Sequence, residues 1–299
     1  MSAPLLEVSG LRKTYVTKRN VWGKATQRLT AVGGVSFTLE PGRTLGIVGE
    51  TGAGKSTVGR LVLRLIEPDS GSVKLLGQDV LAMPRKELRS LRAKAQMIFQ
   101  DPFSSLDPRM VIGAAVEESL TVHADLSKAD REQRSLDLLQ RVGLRADQMD
   151  RYPREFSGGQ LQRIAIARAL ANDPDFIVCD EPVAALDVSI QAQVLNLLLD
   201  LQAERGLGYL FISHDLSLVR FLAHDVIVMY KGEVVEMGPT AQLFADPQHA
   251  YTRKLLSAIP VAQPRRERAR ALSGAVLSSL IPPASLASAG VTQGGRPSC

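Results

Sequence analysis

Residues 44–57 read Thr44-Leu45-Gly46-Ile47-Val48-Gly49-Glu50-Thr51-Gly52-Ala53-Gly54-Lys55-Ser56-Thr57. Thr44 to Val48 is an apolar run of strand length, and it leads directly into a glycine-rich turn and then a helical pattern that reaches Ile66. The turn has the form G-x-x-x-x-G-K-[ST] in the strand, turn and helix context that gives this pattern its meaning. Its glycines let the chain wrap around a phosphate, so that backbone N–H groups and the start of the following helix face the anion. Lys55 is placed to neutralise β- and γ-phosphate oxygens, and Ser56 to offer its hydroxyl to Mg²⁺. A glycine turn serving only to reverse the chain would not require the strand, the lysine and the serine together.

A second apolar run, Phe176-Ile177-Val178-Cys179, delivers Asp180-Glu181 at its C-terminal end, the edge where open α/β sheets bind ligands. Alone, such a pair more often starts a turn or helix. Beside a phosphate loop it reads as a catalytic pair, with Asp180 reaching Mg²⁺ through water and Glu181 polarising the attacking water. These two elements define a P-loop NTPase but leave a kinase, a GTPase and a helicase open. Phe156-Ser157-Gly158-Gly159-Gln160 narrows the choice, because it opens the helical pattern Gln160 to Ala171 and so makes a second anion site at a helix N-terminus. Two phosphate-binding termini in one chain imply that one of them serves a neighbour's nucleotide.

Over roughly residues 5–260 the sequence resembles the ABC ATPase family, whose Leu/Phe-Ser-Gly-Gly-Gln signature it matches at Phe156 to Gln160. The resemblance implies an α/β fold, a P-loop NTPase core carrying an antiparallel β subdomain and a helical subdomain, with ATP and Mg²⁺ as ligands. It also implies roles along the chain. Tyr15 matches the aromatic that stacks on adenine, Gln100 the glutamine linking Mg²⁺ and attacking water to the transmembrane interface, and His214 the histidine that contacts γ-phosphate. Ala185-Leu186-Asp187 matches the loop that crosses the dimer interface. Ala184 stands where the family commonly has Ser, so a hydroxyl contact at that point of the dimer is not carried over. His123, His224 and His249 are read as structural, and Cys179 as a small core residue in a strand.

Three further stretches resemble the subfamily that serves dipeptide and oligopeptide importers: Ile98 to Arg109, Glu181 to Val183 with Asp187 to Val194, and Tyr251 to Pro260. The insert Val16 to Ala31 points the same way, toward one member of that subfamily's paired ATPases. The resemblance implies a second, related ATPase subunit, two transmembrane permease subunits and, indirectly, an extracytoplasmic solute-binding protein, with the chain held at the cytoplasmic face of the membrane. An ATPase of this kind does not touch its cargo, so dipeptide, oligopeptide, nickel and glutathione are not distinguished. Many members place a cysteine cluster for an iron–sulfur centre after the Ala-Ile-Pro stretch. Here that region holds only Cys299, and the cluster is not carried over.

Composition bounds the alternatives. A chain of 299 residues at 45% hydrophobic buries a large core. Five arginines against Glu267 place +4 of the formal +5 charge in residues 261–299, so the body is nearly neutral and no nucleic-acid partner is expected. No run approaches the roughly 18 apolar residues of a membrane helix. Strand runs recur at Leu5–Val8, Val35–Leu39, Ser72–Leu76, Gln96–Phe99 and Tyr209–Ile212, with a hairpin at Asp225 to Glu236 turning on Lys231-Gly232. Between about 103 and 170 only helical patterns remain, at Val111–His123, Lys128–Val142 and Gln160–Ala171. The expected organisation is a nucleotide-binding domain over 1–260, a helical subdomain at about 103–170 within it, and a loosely ordered tail over 261–299. An ABC exporter ATPase is the nearest alternative. A DNA-repair ATPase would need a coiled coil or zinc insert, a ribosome-acting protein usually has two cassettes, and a non-enzymatic module would be expected to lack Lys55 or Glu181.

Overall fold

The computed structural model describes residues 3–19, 25–123 and 126–258. The tail at 261–299 and the tip of the insert at 20–24 lie outside the described residues, as does the His123 side chain.

Three strands carry the centre of the molecule: β3 (Thr44–Val48), β7 (Phe176–Asp180) and β8 (Gly208–Ser213), buried along their whole length. Near-continuous apolar runs of this kind suit a parallel sheet covered on both faces. β3 pairs in parallel with β8 and with β9 (Asp225–Tyr230), β8 with β7, and β7 with β6 (Ala95–Ile98). β10 (Glu233–Pro239) returns antiparallel to β9, giving the order β10-β9-β3-β8-β7-β6. The hairpin turns at Lys231-Gly232, as expected, with φ of 50° and 86°, positive at both central residues.

Side chains alternate between two cores with the period of 2 that strands impose. Ile177, Cys179, Tyr209, Phe211, Val226 and Val228 enter one core, while Phe176, Val178, Leu210, Ile212, Ile227 and Met229 enter the other. The first core also takes the helical segment: α3 (Ile112–His123), α4 (Lys128–Arg141) and α5 (Gly158–Leu170). It includes α6 (Val188–Arg205), whose Val194, Leu195, Leu198 and Leu201 are buried as the stripe predicts. The second core lies between α1 (Lys55–Val62) and a four-stranded antiparallel sheet, β2-β1-β4-β5.

That antiparallel sheet is where the strand reading falls short. β1 spans Leu6–Arg19 and β2 spans Ala25–Leu39, so much of the insert from Val16 to Ala31 is strand rather than a spacer. Residues 26–30 are exposed, and the pairing is interrupted by register shifts, so no clean alternation of apolar and polar residues marks this stretch. β4 (Ser70–Leu75) and β5 (Gln78–Asp79) complete the sheet. α2 (Arg85–Lys94) leads into β6, and α7 (Leu216–Leu222), α8 (Thr240–Ala245) and α9 (Ala250–Ser257) complete the described helices. Among the described residues no helix is long and apolar enough to cross a membrane.

Candidate active site

The carboxyl ends of four parallel strands converge. β3 ends at the glycine loop, β6 is followed by Gln100, β7 by Glu181 and β8 by His214. The loop is held from outside by the turn after β9: Gly232 N donates to Ala53 O at 3.1 Å. Gly54, with φ 100°, caps α1 without a side chain, and a Cβ there would stand 2.0 Å from the Ala31 carbonyl oxygen of β2. Only glycine fits at that point, and the N–H groups of the first helical turn are left for an anion. Glu50, Thr51 and Gly52 are exposed at the loop's crown, while Ser56 and Thr57 are half-buried.

Lys55 is buried and folds back over the loop, its Nζ donating to Gly49 O at 2.8 Å and Glu50 O at 3.0 Å. It also stands 4.0 Å from Glu181 Oε1. Burial pulls its pKa down, against the fields of Glu181 and Asp180. Ser56 Oγ donates to Asp180 Oδ1 at 2.7 Å. Asp180 is 2% exposed, and burial holds its carboxyl above the usual range, opposed first by the Ser56 hydrogen bond and then by Arg60. Glu181 Oε2 accepts from Gln100 Nε2 at 3.1 Å and lies 3.0 Å from His214 Nδ1. Its backbone is at φ 48°, left-handed for a non-glycine residue, and its N–H donates to Ile212 O at 3.0 Å. A side chain held by three neighbours on a strained backbone is the pattern of a constrained functional position.

Among the described residues, the remaining ones singled out by sequence form their hydrogen bonds and ring contacts with other partners. Ser157 caps α5, its Oγ accepting from Gln160 N at 3.4 Å, while Gln160 Oε1 accepts from Ser157 N at 3.0 Å. The helix therefore starts at Gly158, two residues earlier than its periodicity suggests, because glycines carry no apolar signal. Asp187 caps α6 through Ile190 N at 3.0 Å, a hydrogen bond that lowers its pKa, and it also accepts from Ser189 Oγ at 2.9 Å. A Cβ on Gly159 would meet Ile190 Cγ2 at 2.5 Å, so the two caps sit on adjoining elements. Tyr15 is 40% exposed on β1, opposite Leu29, with Lys13 Nζ 5.7 Å from its ring centroid. The histidines read as structural act so: His224 Nδ1 accepts from Thr44 N at 3.0 Å, and His249 Nδ1 from Tyr251 N at 3.1 Å. One loop contact escaped the sequence reading. The Tyr251 hydroxyl accepts from Glu50 N at 3.1 Å, a partnership across 201 positions that no spacing announces.

A mostly parallel sheet with a G-x-x-x-x-G-K-S loop at one strand end, and a serine-capped helix start in a helical insert, is the arrangement of an ATP-binding cassette. The family model of ABC transporters matches residues 32–184, and the chain belongs to that family. The model of the oligopeptide/dipeptide transporter C-terminal region matches residues 235–284. The chain is 50% identical over 284 residues to the dipeptide transport ATP-binding protein DppF of Haemophilus influenzae, covering 94% of this chain and 86% of that protein. It is 49% identical over 286 residues to DppF of Escherichia coli, covering 95% and 85%. To the glutathione import ATP-binding protein GsiA of Escherichia coli it is 51% identical over 265 residues, 89% of this chain but 42% of GsiA.

Solved structures agree. The ATP-binding cassette MJ0796, in a dimeric post-hydrolysis state bound to ADP and Pi, aligns with a TM-score of 0.70 at 28% identity, covering 79% of this chain and 98% of that one. CbiO1 from Clostridium perfringens, part of the ABC transporter complex CbiONQ, aligns with a TM-score of 0.71 at 25% identity, covering 90% and 100%. The protein is an ATP-binding and ATP-hydrolysing subunit of an ABC transporter.

Proposed function

We propose that the chain energises import of peptides or a related small solute, as one of two ATPase subunits that close around ATP. The observation that carries this reading is that two candidate anion-binding helix starts in one chain belong to different side-chain clusters. Lys55, Ser56, Gln100, Asp180, Glu181 and His214 form one linked cluster, whereas Ser157, Gly158, Gly159 and Gln160 belong to another, beside Asp187. A nucleotide on the first cluster would receive the second from an opposing subunit. The dimeric state of MJ0796 with ADP and Pi supports the arrangement. Import is favoured over export by the DppF and GsiA relatives, whose names describe dipeptide transport and glutathione import.

In this reading the Gly49–Thr57 loop holds the phosphates, and Lys55 exchanges its two loop carbonyls for β- and γ-phosphate oxygens. Tyr15 supports the adenine. Gln100 and His214 orient Glu181, whose carboxylate positions the attacking water. Ser56 Oγ and Asp180 Oδ1, 2.7 Å apart, are hard oxygen donors of the kind Mg²⁺ takes alongside phosphate oxygens, with Gln100 as a further donor. When bound there, Mg²⁺ would neutralise charge developing on the phosphate oxygens.

A groove of about 400 Å³ at the end of β6, lined by Leu65, Met97, Phe99, Glu118 and Arg168, supports docking of a permease subunit. Two permeases would hold the chain at the cytoplasmic face of the membrane, and an extracytoplasmic solute-binding protein would act through them. Glu181→Gln tests the catalytic reading, since it keeps the side chain's shape and removes its charge. ATP is expected to bind without turnover, and the paired ATPase to accumulate as a larger species on size exclusion in ATP but not in ADP. Unchanged hydrolysis would remove Glu181 from this role.

A further inference from the structure

The phosphate loop is gripped by an element that plays no part in the cluster above. α9 starts at His249, whose side chain accepts from Tyr251 N and so fixes the first helical turn. The segment before it is tied to β10, because Glu236 accepts from Gln248 N at 2.8 Å and His249 N at 3.0 Å. The Tyr251 ring is buried against Tyr230, the last residue of β9, with centroids 4.2 Å apart and planes at 37°. β9 lies directly beside β3, Val228 opposite Val48. The stacked rings therefore deliver the Tyr251 hydroxyl to the point where β3 becomes the loop.

There it accepts from Glu50 N at 3.1 Å. Glu50 N–H and Gly49 C=O belong to one planar peptide group, and the Gly49 oxygen accepts from Lys55 Nζ at 2.8 Å. The same plate is thus held at one end by Tyr251 and at the other by Lys55. Gly49, at φ 151° and with the Met229 carbonyl oxygen 2.2 Å from where a Cβ would stand, has no side chain to resist rotation of this peptide.

We propose that Tyr251 is a positioning residue for ATP hydrolysis, its hydroxyl locking the Gly49–Glu50 peptide so that the loop and Lys55 are preset for the phosphates. The proposal rests on the reading of Gly49–Thr57 as the ATP site. It gives the C-terminal region matched over residues 235–284 a direct contact with that loop. Without the hydroxyl, the peptide samples other orientations, and the binding-competent fraction falls. Apparent affinity falls with it, while the chemistry of the bound state is untouched.

Tyr251→Phe keeps the stacked ring and deletes only the acceptor. In the full-length chain assembled with its permeases and companion ATPase, KM for ATP should rise about fivefold, the scale of one net hydrogen bond, with kcat within about twofold. Dissociation constants for radiolabelled ATP on the full chain should rise equally, and amide exchange at Glu50 should accelerate while β3 and β8 stay protected. Tyr230→Phe, which leaves the Tyr251 hydroxyl in place, should change neither constant. Unchanged affinity in Tyr251→Phe, with or without a lower melting temperature, would overturn the proposal by reducing the hydroxyl to a packing role. So would unchanged exchange at Glu50, or a fall in kcat at constant KM. Lys55→Ala in parallel separates the two levels: if it lowers turnover at saturating ATP while Tyr251→Phe has no effect, only the Tyr251 proposal fails, and if it changes neither turnover nor ATP affinity, the ATP-site reading fails with it.

Discussion

Lys55 and Tyr15 show how differently two residues can serve one ligand. Lys55 is buried, bonded to two loop carbonyls and 4.0 Å from Glu181. Its proposed work is electrostatic, against charge that grows as the γ-phosphate departs. Lys55→Ala is expected to lower turnover by about 10²-fold or more even at saturating ATP, the scale of losing a preorganised charge donor. Tyr15, exposed on β1, offers only a ring face. Tyr15→Ala is expected to weaken ATP binding by about 1–3 kcal/mol, as loss of one stacked base does elsewhere, with turnover at saturation retained. Steady-state kinetics on both variants checks the pair, and an equal loss of kcat would contradict it.

Among the elements, α5 and its cap matter most to the proposed pairing. Among the described residues, the Ser157 hydroxyl is engaged with Gln160, a capping box at the helix start. The cap rests on α6 through Gly159 and Ile190, and Gln191 Nε2 donates to Val183 O at 3.0 Å and Leu186 O at 3.1 Å, holding the segment that leads to Asp187. The two candidate interface pieces thus adjoin within one chain. Ser157→Arg should leave this chain's own ATP affinity unchanged while blocking hydrolysis of ATP held on the partner's loop. Mixed assemblies, in which only one subunit carries the substitution, provide the measurement. Loss of nucleotide binding by the isolated Ser157→Arg chain would contradict the sandwich.

At the scale of the whole fold, two cores lie on opposite faces of one sheet. The helical segment and α6 share one core, and the phosphate-loop helix α1 shares the other with the antiparallel sheet. The two candidate anion sites are thereby built on helices of different cores. On the proposed sandwich, a lone chain would offer the γ-phosphate only the first cluster, without the second set of N–H and hydroxyl donors and open to water. The isolated chain is expected to hydrolyse ATP slowly, with the specific rate rising steeply once a related ATPase and the permeases are added. A specific rate independent of protein concentration and of both partners would count against that expectation.

What the sequence determined by itself was local. Strand, loop, lysine and serine are contiguous at 44–57, the carboxylate pair follows its strand at 180–181, and the second cap is contiguous at 156–160, so a P-loop NTPase was legible from spacing, while the ABC fold and the roles of Tyr15, Gln100, His214 and Asp187 came through resemblance. The separate antiparallel sheet came only through resemblance, because its long strands lack a clean alternation. Tertiary structure decided the convergence. Ser56 meets Asp180 across 124 positions, Gln100 meets Glu181 across 81 and His214 meets it across 33. The strand order β3-β8-β7-β6 brings those ends to one edge. Tyr251 reaches Glu50 only because β9 lies beside β3 and carries Tyr230 as a stacking surface. Neighbours along the chain are governed by local propensity and periodicity, whereas these contacts depend on which strands pair, and that is settled by burial of both faces of the sheet at once.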